Sequence, residues 1–124
     1  MKPLSKSEEQ LLHILWDKEP AYMKDVLAGY GDPVPAKTTV ATLFKRIIDK
    51  GYIGYESDGG LRRYSSKVSK VSYLKKKITG LISNFFDDSP TQFASFFAEE
   101  MDMSPEEAEE IRKMYLDDKE EPKS

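Results

Sequence analysis

Between Pro35 and Tyr52 the apolar residues Val40, Leu43, Phe44, Ile47 and Ile48 fall at i, i+3, i+4, i+7 and i+8. That spacing predicts a helix with one buried face. Directly after it the period drops to two. Tyr52-Ile53-Gly54-Tyr55-Glu56 and Leu61-Arg62-Arg63-Tyr64-Ser65 read as short strands on either side of Ser57-Asp58-Gly59-Gly60. Because glycine accepts positive φ, Asp-Gly-Gly favours a hairpin turn there. A helix that runs straight into a hairpin leaves few small folds open.

What precedes the helix narrows the choice. Ser5 and Glu8 have the spacing of a capping box and open a first helix bearing Leu11, Leu12, Leu15 and Trp16, with Leu4 just before it. Pro20 ends it. A short second helix is expected from Met23 to Tyr30, with Met23, Val26, Leu27 and Tyr30 on one face and Gly29 and Gly31 near its stop. Helix, helix, helix, hairpin is the order of a winged helix-turn-helix domain, in which the third helix enters the major groove of DNA. The alternative is a small α+β core without a ligand.

Beyond Ser66 the pattern is helical again. Leu74, Ile78, Leu81, Ile82, Phe85 and Phe86 form one stripe. Ser89-Pro90-Thr91-Gln92 reads as a capping box with proline at the first helical position, opening a helix with Phe93, Phe96, Phe97 and Met101. Ser104-Pro105-Glu106-Glu107 repeats the device before Ala108, Ile111, Met114 and Tyr115. The predicted architecture is therefore mainly α: a winged helix-turn-helix domain over residues 1–70, a helical dimerisation domain over 71–119, and a disordered tail over 120–124.

Charge divides along the same line. Met1 to Lys77 holds 15 Lys and Arg against 9 Asp and Glu, whereas Ile78 to Ser124 holds 4 against 13. A basic half points to a polyanionic partner. The acidic half is too short to build an independent core easily, yet it is rich in phenylalanine. Burying one Phe or Leu contributes about 1.5–3 kcal/mol, so a second copy of the chain is the economical cover for that face. The alternative is that these helices fold back on their own winged domain.

Several function classes lose their footing here. The 124 residues contain no cysteine and one histidine, His13, which removes thiolate chemistry and leaves little for a zinc site or a histidine-based triad. Neither a cofactor nor a metal is expected. Carboxylates such as Glu106 to Glu110 sit at helix starts and on solvated faces, so an enzyme is not expected. No run approaches the roughly 18 apolar residues of a membrane span, and the first residues lack a signal-peptide core, which predicts a cytoplasmic protein without membrane insertion. A winged helix can also serve as a protein-interaction module without DNA binding, and such a module would need no basic face.

Leu4-Ser5, Glu8, Leu15-Trp16, the run Pro35-Ala36-Lys37-Thr38-Thr39-Val40-Ala41-Thr42-Leu43, Arg46, Lys50-Gly51-Tyr52-Ile53, Arg63-Tyr64 and Met103-Ser104-Pro105-Glu106-Glu107 together resemble the penicillinase-repressor family, the BlaI, MecI and CopY type of regulator. The resemblance runs from about Leu4 to Leu116. It implies a homodimeric transcriptional repressor that binds double-stranded operator DNA, a palindrome, and is released by a signal. The family's recognition helix matches Pro35 to Lys50 here, so the outward Thr38, Thr42, Lys45 and Arg46 become candidates for DNA contact, flanked by Lys37 and Thr39. Arg62 and Arg63 on the hairpin are expected phosphate or minor-groove contacts, with strand alternation sending them to opposite faces.

The departures concern the signal. Copper-responsive members carry a cysteine motif near the C-terminus, which this chain lacks. Antibiotic-responsive members are cleaved within the dimerisation domain after a membrane sensor-protease detects a β-lactam. The matching stretch here is Gln92 to Ala98, around Phe96 and Phe97, without the asparagine that precedes phenylalanine in the best-known members.

Overall fold

The computed structural model describes residues 2–110 and 113, and the chain divides into two compact units between Lys70 and Val71. The first holds α1 (Lys6–Lys18), α2 (Met23–Gly29), α3 (Lys37–Asp49), β1 (Ile53–Asp58) and β2 (Leu61–Ser66). α4 (Lys70–Phe85) and α5 (Pro90–Glu100) follow, and residues 105–110 are helical. The protein is thus mainly helical with one two-stranded antiparallel sheet, the arrangement of a winged helix followed by a helical part. Among the described residues no helix is long and apolar enough to cross a membrane.

α1 starts where its capping box predicts. The Ser5 hydroxyl accepts from the Glu8 amide at 3.2 Å, and the Ser5 amide donates to Glu8 Oε1 at 2.7 Å. Glu8 does more than cap, because it is only 2% exposed and also receives Lys50 Nζ at 2.6 Å. Lys50 is the residue that ends α3, and its ammonium also donates to the Pro3 carbonyl at 3.0 Å. One carboxylate therefore ties the start of α1 to the end of α3. Burial alone would raise the Glu8 pKa, but the Lys50 ammonium and the Ser5 donors outweigh it and hold the carboxyl below its usual 4.5.

A depressed folded-state value stabilises the protein above the unfolded value and stops doing so as pH falls through the folded one. Thermal unfolding across pH should therefore show the clamp intact at neutral pH and lost in acid below about 4.5. Glu8→Gln should lower the neutral midpoint and converge with the wild type in strong acid. Parallel curves at all pH values would mean that Glu8 contributes nothing through its charge.

α2 stops at Gly29, one residue before the expected Tyr30. It crosses α1 so closely there that a Cβ on Gly29 would lie 2.4 Å from Ile14 Cγ2. α3 begins at Lys37, two residues later than Pro35, because Pro35 and Ala36 stay outside the helix and Ala36 is the extended residue at its start. Its buried side is Val40, Leu43, Phe44 and Ile47, packed into a core with Leu11, Leu12, Leu15 and Val26. Ile48, the last residue of the predicted stripe, is only partly buried.

β1 runs two residues further toward the tip than its sequence pattern suggests, whereas β2 starts at Leu61 as expected and gains Ser66 at its other end. Register pairs Ile53 with Ser66, Tyr55 with Tyr64 and Asp58 with Leu61, which shrinks the turn to Gly59-Gly60. Both glycines have positive φ, 56° and 86°, the backbone sense that matches the twist of paired strands. Ala21 adds a rung from the α1–α2 link, since its amide donates to the Tyr64 carbonyl at 3.0 Å and the Tyr64 amide donates back at 2.7 Å. The Tyr64 ring stacks on Phe44 of α3 at 3.9 Å. Hairpin and helix share one core.

The second unit has a small core. Ile82 and Phe93 are buried, with Ile78, Phe86 and Phe97 packed around them. The Ser89 hydroxyl accepts from the Gln92 amide as predicted, while the Ser89 amide donates to the Phe86 carbonyl at 2.8 Å instead of completing a box. The Ser104 and Glu107 box forms both ways at 3.2 Å. Ile111, Met114 and Tyr115 lie outside the described residues, as does the 120–124 tail.

Candidate nucleic-acid interface

α3 presents two unlike sides. Opposite its buried stripe, Lys37, Thr38, Thr39, Thr42, Lys45 and Arg46 are all exposed. The first carboxylate on that side is Asp49, at the far end. The ion pairs of Glu8 with Lys50 and of Glu56 with Arg63 engage none of Lys37, Lys45, Arg46 and Arg62. A free guanidinium with a planar fork suits either a phosphate or the O6/N7 edge of guanine.

The start of α3 is open. Ala36 has no side chain to cap it, and the first amide to find an intrahelical acceptor is Val40, bonded to the Ala36 carbonyl at 3.1 Å. The amides of Lys37, Thr38 and Thr39 precede that bond, at the positive end of the helix dipole, where an anion is favoured. Thr42 is different, because its hydroxyl donates to the Thr38 carbonyl at 3.1 Å. With its proton so used, Thr42 offers a partner its methyl group and acceptor lone pairs, the features that suit a thymine methyl or a base amino group.

The hairpin separates its two arginines as alternation requires. Arg62 lies over the Tyr55 ring with its guanidinium carbon 4.2 Å from the centroid. Arg63, on the other face, pairs with Glu56 at 3.2 Å. Tyr22, the residue that precedes α2, donates its hydroxyl to Asp58 beside the hairpin tip. That bond is the main reason its pKa lies above the usual 10.0, so it remains a donor at neutral pH. Tyr22, Tyr55, Glu56 and Asp58 were not candidates from sequence. Counting back from Gly59-Gly60 pairs 56 with 63 and sets 55 diagonally across from 62 on one face, so Glu56 and Tyr55 could have been found by register; Tyr22 could not.

The residues singled out for dimerisation divide in the second unit: Ile82 and Phe93 are buried in its own core, with Ile78, Phe86 and Phe97 packed against them. Leu74, Leu81, Phe85, Phe96 and Met101 are exposed, Phe85 at 77%. Phe96 and Phe97 lie in the middle of α5, and His13 is exposed on α1. Among the described residues no three acidic or histidine side chains are placed to hold a metal ion.

The profile of the penicillinase repressor family matches residues 4–117. The methicillin resistance regulatory protein MecI of Staphylococcus aureus strain N315 is 24% identical to this chain over 110 residues, covering 88% of it and 89% of MecI. The protein of the same name from Mammaliicoccus sciuri is 26% identical over 112 residues with the same coverage.

Proposed function

Because this chain belongs to the penicillinase repressor family, whose members are transcriptional repressors, we propose that it acts as a homodimer on a palindromic operator in the cytoplasm. α3 is the element that enters the major groove, and the hairpin supplies a further cation. The observation that carries this reading is the side of α3 that stays polar and cationic, free of carboxylate until Asp49, while its opposite side is buried. Thr38 and Thr39 position a phosphate at the open helix start, Thr42 and Arg46 meet base edges, and Lys37 and Lys45 hold the backbone. The role requires no cofactor and no catalytic residue.

Dimerisation belongs to the second unit, where among the described residues six large apolar side chains, Val71 included, stay exposed around a core of Ile82 and Phe93. The domains are accordingly proposed as 1–70 for DNA and 71–119 for the partner copy. Release acts on the same unit. Any event that opens α5 removes Phe93 and Phe97 from the core, and cleavage at Phe96-Phe97 by a membrane sensor-protease is one such event. Proteases take extended chain, so α5 would have to unwind first.

The test is a DNA titration at several salt concentrations. Affinity should fall steeply as salt rises, and Arg46→Ala should cost about 1–3 kcal/mol on an operator duplex while relaxing the preference for one base pair. If Arg46→Ala binds as the wild type does, Arg46 reads nothing. If the wild type shows no salt-dependent binding to duplex DNA, the domain is a protein-interaction module instead.

A further inference from the structure

The two hairpin arginines are adjacent in sequence and equivalent in charge, but the register gives them opposite surroundings. Tyr55, Ser57 and Arg62 share one face with Ile53, Tyr64 and Ser66, and Arg62 is the only charged strand residue on it; the Glu19 carboxylate meets that face at the base of the hairpin, where it accepts from Ser66. The other face carries Glu56, Asp58 and Arg63, two carboxylates against one guanidinium. We propose that Arg62, and not Arg63, is the hairpin's contact to the DNA backbone, presented by the Tyr55 ring on the face whose tip end holds a cation and no carboxylate. This deepens the DNA-binding reading above and rests on it.

Three observations converge. The sign of each face comes first, because a polyanion is drawn to a lone guanidinium and repelled by a pair of carboxylates within a Debye length of about 10 Å. The bond from Arg63 to Glu56 matters less, since an exposed ion pair contributes only about 0–1 kcal/mol and phosphate could break it; Glu56 and Asp58 would remain beside the phosphate. Geometry comes second. An aromatic ring covers the flat side of a guanidinium and leaves its in-plane N–H groups free, so Arg62 keeps its donors while it is held in place.

Orientation is the third. The Tyr55 ring meets the edge of Tyr64 at 6.0 Å, and Tyr64 stacks on Phe44 of α3. The face with Arg62 is therefore the one turned to the recognition helix. Arg62 is exposed and Arg63 half-buried, which fits the same assignment.

The experiment compares full-length wild type, Arg62→Ala, Arg62→Lys and Arg63→Ala on two fluorescein-labelled duplexes of about 30 base pairs with unrelated sequences, across salt from about 25 to 150 mM. Each phosphate contact adds about 0.9 to the slope of log affinity against log salt, so losing one costs about eightfold at 0.1 M. Arg62→Ala should lower the slope by about 1 on both duplexes, because a phosphate contact carries no sequence information. Arg62→Lys should keep most of the slope, and Arg63→Ala should leave it unchanged.

A slope lost with Arg63 rather than Arg62, or lost with neither, overturns the assignment. A wild type that fails to bind either duplex overturns the DNA-binding reading itself, so the two failures are separable. Neither side chain belongs to the buried core, and matching thermal midpoints for the variants would show that the fold is retained.

Discussion

Phe44→Ala should remove about 3–5 kcal/mol from the stability of the first unit and abolish DNA binding with it. Phe44 is 2% exposed and lies on the buried side of α3, where its ring is stacked on Tyr64 of β2. Truncation leaves a cavity between α3 and the hairpin, the two elements proposed to meet DNA together. The chain has a single tryptophan, Trp16, whose indole donates to the Val68 carbonyl at 2.9 Å within the same unit. Its fluorescence during urea unfolding therefore reports this unit. An unchanged midpoint would show that the site repacks without cost, whereas Thr42→Ala on the exposed side should move it by about 0.5 kcal/mol at most.

Phe93→Ala should have an effect of similar size in a different place. Phe93 and Ile82 are the buried pair of the second unit, with Phe86 set edge-on to Phe93 at 5.6 Å. So small a core has little to spare, and a loss of about 3–5 kcal/mol exceeds what it can absorb. Helicity from α4 and α5 should fall, the mass in solution should drop from two chains to one, and the Trp16 transition should stay where it was. A two-chain mass at micromolar concentration with wild-type helicity would remove Phe93 from the dimer argument.

Much of this was readable beforehand where a local rule and the tertiary structure agree. Ser5 with Glu8 set the start of α1, and the stripe from Val40 to Ile47 set the side of α3 that is buried, because capping and periodicity act within a few residues. Gly59-Gly60 brought two strands together for the same reason. The strand ends were misjudged by up to two residues because pairing, which depends on the partner strand, carried β1 on to Asp58 opposite Leu61 and β2 on to Ser66 opposite Ile53. Ala36 was the harder case, since nothing local shows that a helix will begin without a cap.

What sequence could not display were bonds between distant residues. Lys50 reads in the sequence only as the end of a helix and is the counter-ion of a buried glutamate 42 positions earlier. Alternation sent Arg62 and Arg63 to opposite hairpin faces without choosing between them, and their neighbours on those faces distinguish them. In both cases a charge acquires its role from what the fold places beside it.

The bond from Tyr22 to Asp58 extends that principle to motion. The hairpin is fixed at its base by the Ala21 rung and the Phe44 stack, and Tyr22 braces it again next to the tip, like a strut under a cantilever. A loop that is free before binding must surrender its conformational freedom on the DNA, and immobilising each flexible side chain in an interface costs about 0.5–1.5 kcal/mol. Here the ordering has been completed during folding, so little entropy remains to be lost when the duplex arrives.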